Sequence, residues 1–406
     1  MLRSLFSGIS GLRAHQQMMD VTGNNIANVN TTGYKTSQAA FQDTMSQMMN
    51  AAGAPQNPTG GTAGGTNPAQ VGLGVRLASI NSNFGQGAAQ TTGKSSDMMI
   101  QGDGFFIVKG GGGESLFTRA GSFNFDANGS MTTPNGQVVQ GWTGVAGVVN
   151  DAGMPSDLKL PIGGSISPAV TKNISLIGNY SNEAAIGTTK QIPLKVYDAL
   201  GAITNVMADF VKDTATSWTV ALTALPAPDN TPATIPFVNG KAVGTLDPIT
   251  GLDTGKIAVG PYQLDIHELT QFSGNTEPRV SNSDGSASGV LSSYSVSNTG
   301  EIVGVFSNGL KQILGQVALA NFNNVNGLEK IGDSMYRSTV NSGLAQIGPA
   351  GSNGLGLITS GALEMSNVDL AQEFTNLVIA QRGFQANSRV ITTSDEILQE
   401  LVNLKH

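Results

Sequence analysis

The apolar and polar positions divide the chain into a helical start, a long strand-patterned middle and a helical end. Leu2, Leu5, Ile9, Leu12, Gln16 and Met19 recur at alternating steps of three and four, the 3.5-residue period of a coiled-coil seam. Turn residues from Gly23-Asn24-Asn25 to Gly33 predict a loop, and Phe41 to Met49 is a shorter amphipathic stretch whose Met45, Met48 and Met49 are expected to form a helix packing face. Residues 51–70 mix Pro and Gly without a period and read as a linker. From Val71 the period shortens to that of strands, with Asn-Gly turns at 128–129 and 135–136 marking hairpins. A second strand–turn–strand set runs from Tyr294 through Asn308-Gly309 to Leu319. The last segment is helical again: Leu370, Phe374, Leu377, Gln381, Phe384, Ser388, Ile391, Asp395, Leu398 and Val402 keep the three–four alternation, and Asn367 or Asp369 is placed to cap its start.

The expected architecture is α+β and mostly β. Residues 1–45 and 364–406 form a terminal domain in which the two helices pair, joined through a flexible linker at 46–70 to a β domain made of two chain segments, 71–145 and 285–363. Residues 146–284 are a β-rich domain inserted into it, with a hairpin predicted from Lys195 to Val211. The helix charges look complementary: Arg3, Arg13 and Lys35 against Asp20 at the start, and mainly acidic residues, Glu364, Asp369, Glu373, Asp395, Glu396 and Glu400, at the end. Gln381, Ser388 and Asp395 interrupt the C-terminal seam, so that face suits several neighbours better than one dry partner.

Composition sharpens this. Only 12% of the 406 residues are charged, against about 25% in ordinary domains, and Gly is abundant at 53. Many copies of such a surface can lie side by side with little repulsion. The net charge of −7 and the lack of a basic cluster argue against nucleic acid. There is no Cys, so neither disulfides nor thiolate metal sites exist. No apolar run is long enough to span a membrane, and the N-terminus lacks a secretory signal.

No catalytic or cofactor site is expected. His15, His267 and His406 have no partner at metal or triad spacing. The Asp126-Ala127-Asn128-Gly129 segment lacks the Gly and Glu that a calcium loop needs at its sixth and twelfth positions, and Gly60 to Gly65 lacks the Lys-Ser/Thr of a phosphate loop.

The segment Asp20-Val21-Thr22-Gly23-Asn24-Asn25-Ile26-Ala27-Asn28-Val29-Asn30-Thr31-Thr32-Gly33-Tyr34-Lys35 resembles the N-terminal signature of the bacterial flagellar rod and hook axial proteins. Ser366 to Leu370 with Ala380-Gln381-Arg382-Gly383-Phe384-Gln385-Ala386-Asn387 is similar to that family's closing helix, and Gln101-Gly102-Asp103-Gly104-Phe105-Phe106 and Thr118-Arg119-Ala120-Gly121-Ser122-Phe123 to its first β-domain motifs. The resemblance implies a non-enzymatic subunit, exported by the flagellar type III apparatus without a cleaved signal, that polymerises with itself outside the cell. Its expected neighbours are rod, hook-cap and hook–filament junction proteins. The long insertion resembles hook-type members, which form a curved tube acting as a universal joint; a distal rod subunit is the second reading, and a secreted adhesin or enzyme the third. It also implies assembly roles for Leu2, Leu5, Ile9, Leu12 and Met19 on the first helix and Leu370, Phe374, Leu377, Gln381, Phe384, Ile391, Leu398 and Val402 on the second, with Asn24, Asn25, Asn28, Gly33 and Tyr34 as the signature loop.

Overall fold

A computed structural model describes residues 2–54, 65–145, 147–161, 163–223, 231–245 and 253–403. The chain forms two units, which it crosses between more than once: residues 1–160, 295–303 and 313–406 make the first, and 161–294 with 304–312 the second.

The first unit holds both helices, α1 (Leu2–Ala27) and α2 (Leu370–Asn403), packed against each other. Helix α1 runs further than its turn residues predict. Gly23 lies inside it, because Asn25 finds partners while helical instead of opening a loop. At the start of α2 the Asp369 carboxylate accepts from the N–H groups of Ala371 (2.9 Å) and Gln372 (3.2 Å), satisfying orphan donors of the first turn. Asn367, the other expected cap, instead accepts from the Thr36 N–H at 2.8 Å and donates to the carbonyls of Asn83 and Gly85.

Two expectations for the next segment are corrected. Phe41 to Met49 is strand, not helix: Ser37–Asp43 pairs antiparallel with Val75–Ser82, and Ser46–Asn50 with Ala69–Gly72. Residues 46–50 and 69–72 are thus a two-stranded ribbon where a linker was expected, and Met45, Met48 and Met49 are exposed on it rather than buried in a helix interface. Of the expected linker, residues 55–64, including Gly60 to Gly64, lie outside the described residues.

The β domain of this unit is built from both chain halves. Phe105–Lys109 pairs with Ser115–Thr118 and, at Phe105 and Phe106, with Ala320 and Leu319; Val138–Thr143 pairs with Gly315 to Val317. The long-range pairing buries Phe105, Ile107, Phe117, Trp142, Phe322 and Tyr336 in one cluster, with Phe117 and Phe322 edge to face at 4.7 Å. The Asp126 segment is a hairpin turn: its Asp126 carboxylate accepts from the N–H groups of Asn128 and Ser130, and Gly129 takes φ +79°.

The second unit is a sheet closed by its own core. Thr189–Tyr197, Ile203–Thr214, Ser217–Thr223 and Ala233–Val238 are successive antiparallel neighbours, and Asn173–Ser181 runs parallel to Tyr262–Phe272. The first of these pairs is the hairpin expected between Lys195 and Val211. Trp218, Tyr180, Phe210, Leu264 and Ile266 are fully buried, the Tyr180 and Trp218 rings 4.6 Å apart. The expected insertion began at 146, but Ser156–Asp157 pairs with Val138–Thr143 and Leu158 is buried against Gly141 and Gly315, so 146–160 belongs with the first unit.

Candidate assembly surface on the terminal helices

The helices run antiparallel. A methyl group on Gly8 would meet Ile391 (3.3 Å), one on Gly11 the Asn387 amide (2.7 Å), and one on Gly383 the His15 ring (2.4 Å). Side chains at these three positions would force the helices apart, so glycine is what permits the close approach. Ala14, Thr22 and Asn25 on α1 and Ala380 and Ser394 on α2 complete the buried contact. The contact keeps a seam-like repeat, 8–11–15–22–25 against 373–380–387–394, but one residue upstream of the apolar repeat, which turns the helix by about 100°. Small residues meet; the large ones do not.

The residues picked out by periodicity fall accordingly. Leu5, Leu12, Met19, Leu377, Ile391 and Leu398 are half-buried at the margin of the contact. Ile9, Leu370, Phe374, Gln381, Phe384 and Val402 are exposed, and the side chain of Leu2 lies outside the described residues. Periodicity missed Phe6 (68% exposed), Val378 (54%) and Ile379 (55%), which are large, apolar and bare. The expected charge complementarity joins no pair across the helices: among the described residues, no ion pair links α1 to α2.

The signature loop forms a fixed base for the pair. The Asn25 carboxamide, 1% exposed, donates to the Ser37 carbonyl (2.8 Å) and to Glu373 of α2 (3.2 Å), and accepts from the Ser37 N–H and the Tyr34 hydroxyl. Asn24 donates to the Tyr34 hydroxyl, and Asn28 folds back on Asn24. Burial, then the nearby charge of Glu373, raises the Tyr34 phenol above its ordinary range. Burial likewise pushes the Glu373 carboxyl up, against the hydrogen bond from Asn25. Gly33 takes φ +68°, and any Cβ there would strike the backbone of Ala120 at 2.5 Å. Its N–H donates to the Glu364 carbonyl.

Beneath the loop lies a buried ionic cluster. The Lys35 ammonium donates to Glu364 (2.6 Å) and to the Gly85 carbonyl (2.9 Å), and the Gly87 N–H also reaches that carboxylate. The Arg119 guanidinium stands 3.6 Å from the second Glu364 oxygen and 5.2 Å from the centre of the Phe105 ring. All three side chains are almost wholly enclosed. Burial draws the Lys35 ammonium below its usual range, and Glu364 partly opposes this. Removing the one carboxylate would leave two buried cations uncompensated, a loss of about 3–5 kcal/mol. Sequence reading quoted all three residues within motifs or charge counts but had no signal that they meet.

Among the described residues, no three His, Asp or Glu side chains gather as a metal site. His267 and Glu268 stand exposed on Tyr262–Phe272.

Comparison with known proteins addresses the same segments. Residues 5–35 match the family described as flagella basal body rod protein, 99–176 the flagellar hook protein FlgE/F/G D1 domain, and 359–404 the flagellar basal body rod FlgEFG protein C-terminal. The chain is 40% identical to flagellar hook protein FlgE of Borreliella burgdorferi and 37% to that of Treponema pallidum, in both cases over the full length of each. It is also 32% identical to the flagellar basal-body rod protein FlgG of Bacillus subtilis over both full lengths. Helicobacter pylori flagellar hook protein FlgE2 shares the fold, with TM-score 0.52 at 13% identity, covering 68% of this chain and all of that one.

Proposed function

The chain belongs to the flagellar hook protein family, a structural component of the bacterial flagellum that assembles with copies of itself, and from that premise we propose that the α1–α2 pair is the inner wall of a curved tube. One observation carries this reading. The pair buries its small residues and bares Phe6, Phe374, Val378 and Ile379, the reverse of a helix pair that ends as a monomer. Copies ranged around an axis would cover those side chains, and Leu370, Phe384 and Val402 with them.

The tube transmits torque while bending and has no catalytic part. The β units form its outer layers, where a surface with few charges gives weak, replaceable contacts that allow neighbours to slide. The chain works outside the cell, reached through the flagellar export apparatus, between rod and hook–filament junction and under a cap. The ribbon around residues 46–72 stands between the helices and the β domain in the chain, and deleting 51–70 is expected to change curvature more than subunit stability.

Electron microscopy of the purified full chain is expected to show curved tubes, and a chain lacking 370–406 should form none while keeping its β circular dichroism. A wild-type chain that stays monomeric at every concentration would overturn the reading. The full-length identity to a rod protein supports a second one, a distal rod subunit, for which the polymer would be straight and enclosed in the cell envelope.

A further inference from the structure

Both helices carry charge of the wrong sign at one shared end of the pair. Because Gly8 faces Ile391, the start of α1 lies beside the end of α2. The first turn of α1 has no acidic residue and contains Arg3, although the partial positive charge of a helix N-terminus favours carboxylates. The last turn of α2 has no basic residue and contains Glu400, one turn after Glu396, although the C-terminus favours cations. All three side chains are exposed, and among the described residues none makes an ion pair. Each lies beside uncovered apolar surface. Phe6 follows Arg3 on the same face of α1, and Ile397 (46% exposed) and Leu401 (48%) flank the two glutamates on α2.

We propose that Arg3 of one copy docks between Glu396 and Glu400 of a neighbouring copy, with Phe6 covering Ile397 and Leu401. This rests on the polymer reading above. The occupant is a second copy of this chain because the two patches are opposite in charge, alike in apolar content and level with each other along the pair. A sideways neighbour with little axial shift therefore matches them, and the contact is head-to-tail, repeating around a ring instead of closing on itself as a dimer. Arg13 and Arg389 lie about 15 Å and 10 Å along their helices from these residues and do not reach the contact. One exposed ion pair is weak and screened by salt, but every copy makes it twice, once with each patch.

The test uses full-length chains and reads the critical concentration for tube formation by sedimentation. Arg3→Glu alone, and Glu396→Lys with Glu400→Lys in another chain, are each expected to raise it about tenfold at low salt, with a smaller effect at high salt. An equimolar mixture of the two variants should return to the wild-type value, because every mixed contact again joins opposite charges. No change in either variant overturns the proposal. So does rescue only when all three substitutions share one chain, since that places the pairing within a copy. Failure of the wild-type chain to form tubes would instead count against the polymer reading itself.

Discussion

The second unit and the helix pair solve burial in opposite ways. In the sheet of the second unit the largest side chains, Trp218, Tyr180 and Phe210, are the most enclosed, and Leu176, Val206, Leu222 and Leu264 fill the space between them. In the helix pair Gly8, Gly11, Ala14, Ala380 and Ser394 are enclosed while Phe6 and Phe374 stand in water. At about 25 cal/mol per Å² of apolar surface, the second unit collects its stabilisation within one chain. The helix pair leaves much of its own uncollected. A fold in which size and burial run together is complete by itself; one in which they run against each other is completed by neighbours.

The strongest way to break this contrast is to empty the sheet core. Trp218→Ala should cost the second unit about 3–5 kcal/mol in urea unfolding followed by near-ultraviolet circular dichroism, while tube formation persists below its transition. If the tubes vanish under conditions where that unit remains folded, the independence of the two regions fails. Next comes the contact between the helices. Gly11→Leu inserts a side chain where the Asn387 amide already sits, an overpacking cost of about 1–3 kcal/mol, and should melt helical signal in the isolated chain as well as stop assembly.

Phe374→Ala sharpens the comparison from the other side. At 52% exposure it should move monomer stability by no more than about 0.5 kcal/mol, yet raise the critical concentration for assembly severalfold. A large loss in the monomer would show that the residue already has its partner there. The smallest effect concerns pH. Burial raises the Glu373 carboxyl, so the folded chain binds a proton more readily than the unfolded one. Its contribution is full below the ordinary glutamate range and is lost as pH rises through the raised value. Mild acidification towards that range should slightly stabilise the helix base. Glu373→Gln, which still accepts from Asn25, should flatten the dependence, as denaturation midpoints across weakly acidic pH would reveal.

Much of the fold was legible in the residues. Periodicity located both helices, and Asn-Gly turns with short apolar runs showed that two distant segments share a sheet, as Gly141 paired with Val317 demonstrates. The face of each helix was not legible. An apolar stripe reports that water will be excluded, and in a subunit of a polymer the excluding partner need not be the same chain. Glycines at 8, 11 and 383 look like helix breakers until the opposing Asn387 and His15 are known. Phe41, Met45, Met48 and Met49 fit a helical spacing by chance, and the ribbon won because Val75–Ser82 offered a complete ladder of partners. The ionic cluster was invisible for a simpler reason: nothing local links Lys35, Arg119 and Glu364.

That cluster also sets an order in time. Glu364 follows Lys35 by 329 positions, so a chain emerging from its N-terminus presents both buried cations long before their shared carboxylate exists. Enclosing Lys35 and Arg119 early carries the penalty of unpaired charge in a dry interior, and closing so long a loop adds its own entropic cost. The β domain is thus held open until almost the entire chain is present. Late arrival of one glutamate acts as a timer against premature folding, a useful property in a polypeptide that must travel before it takes shape.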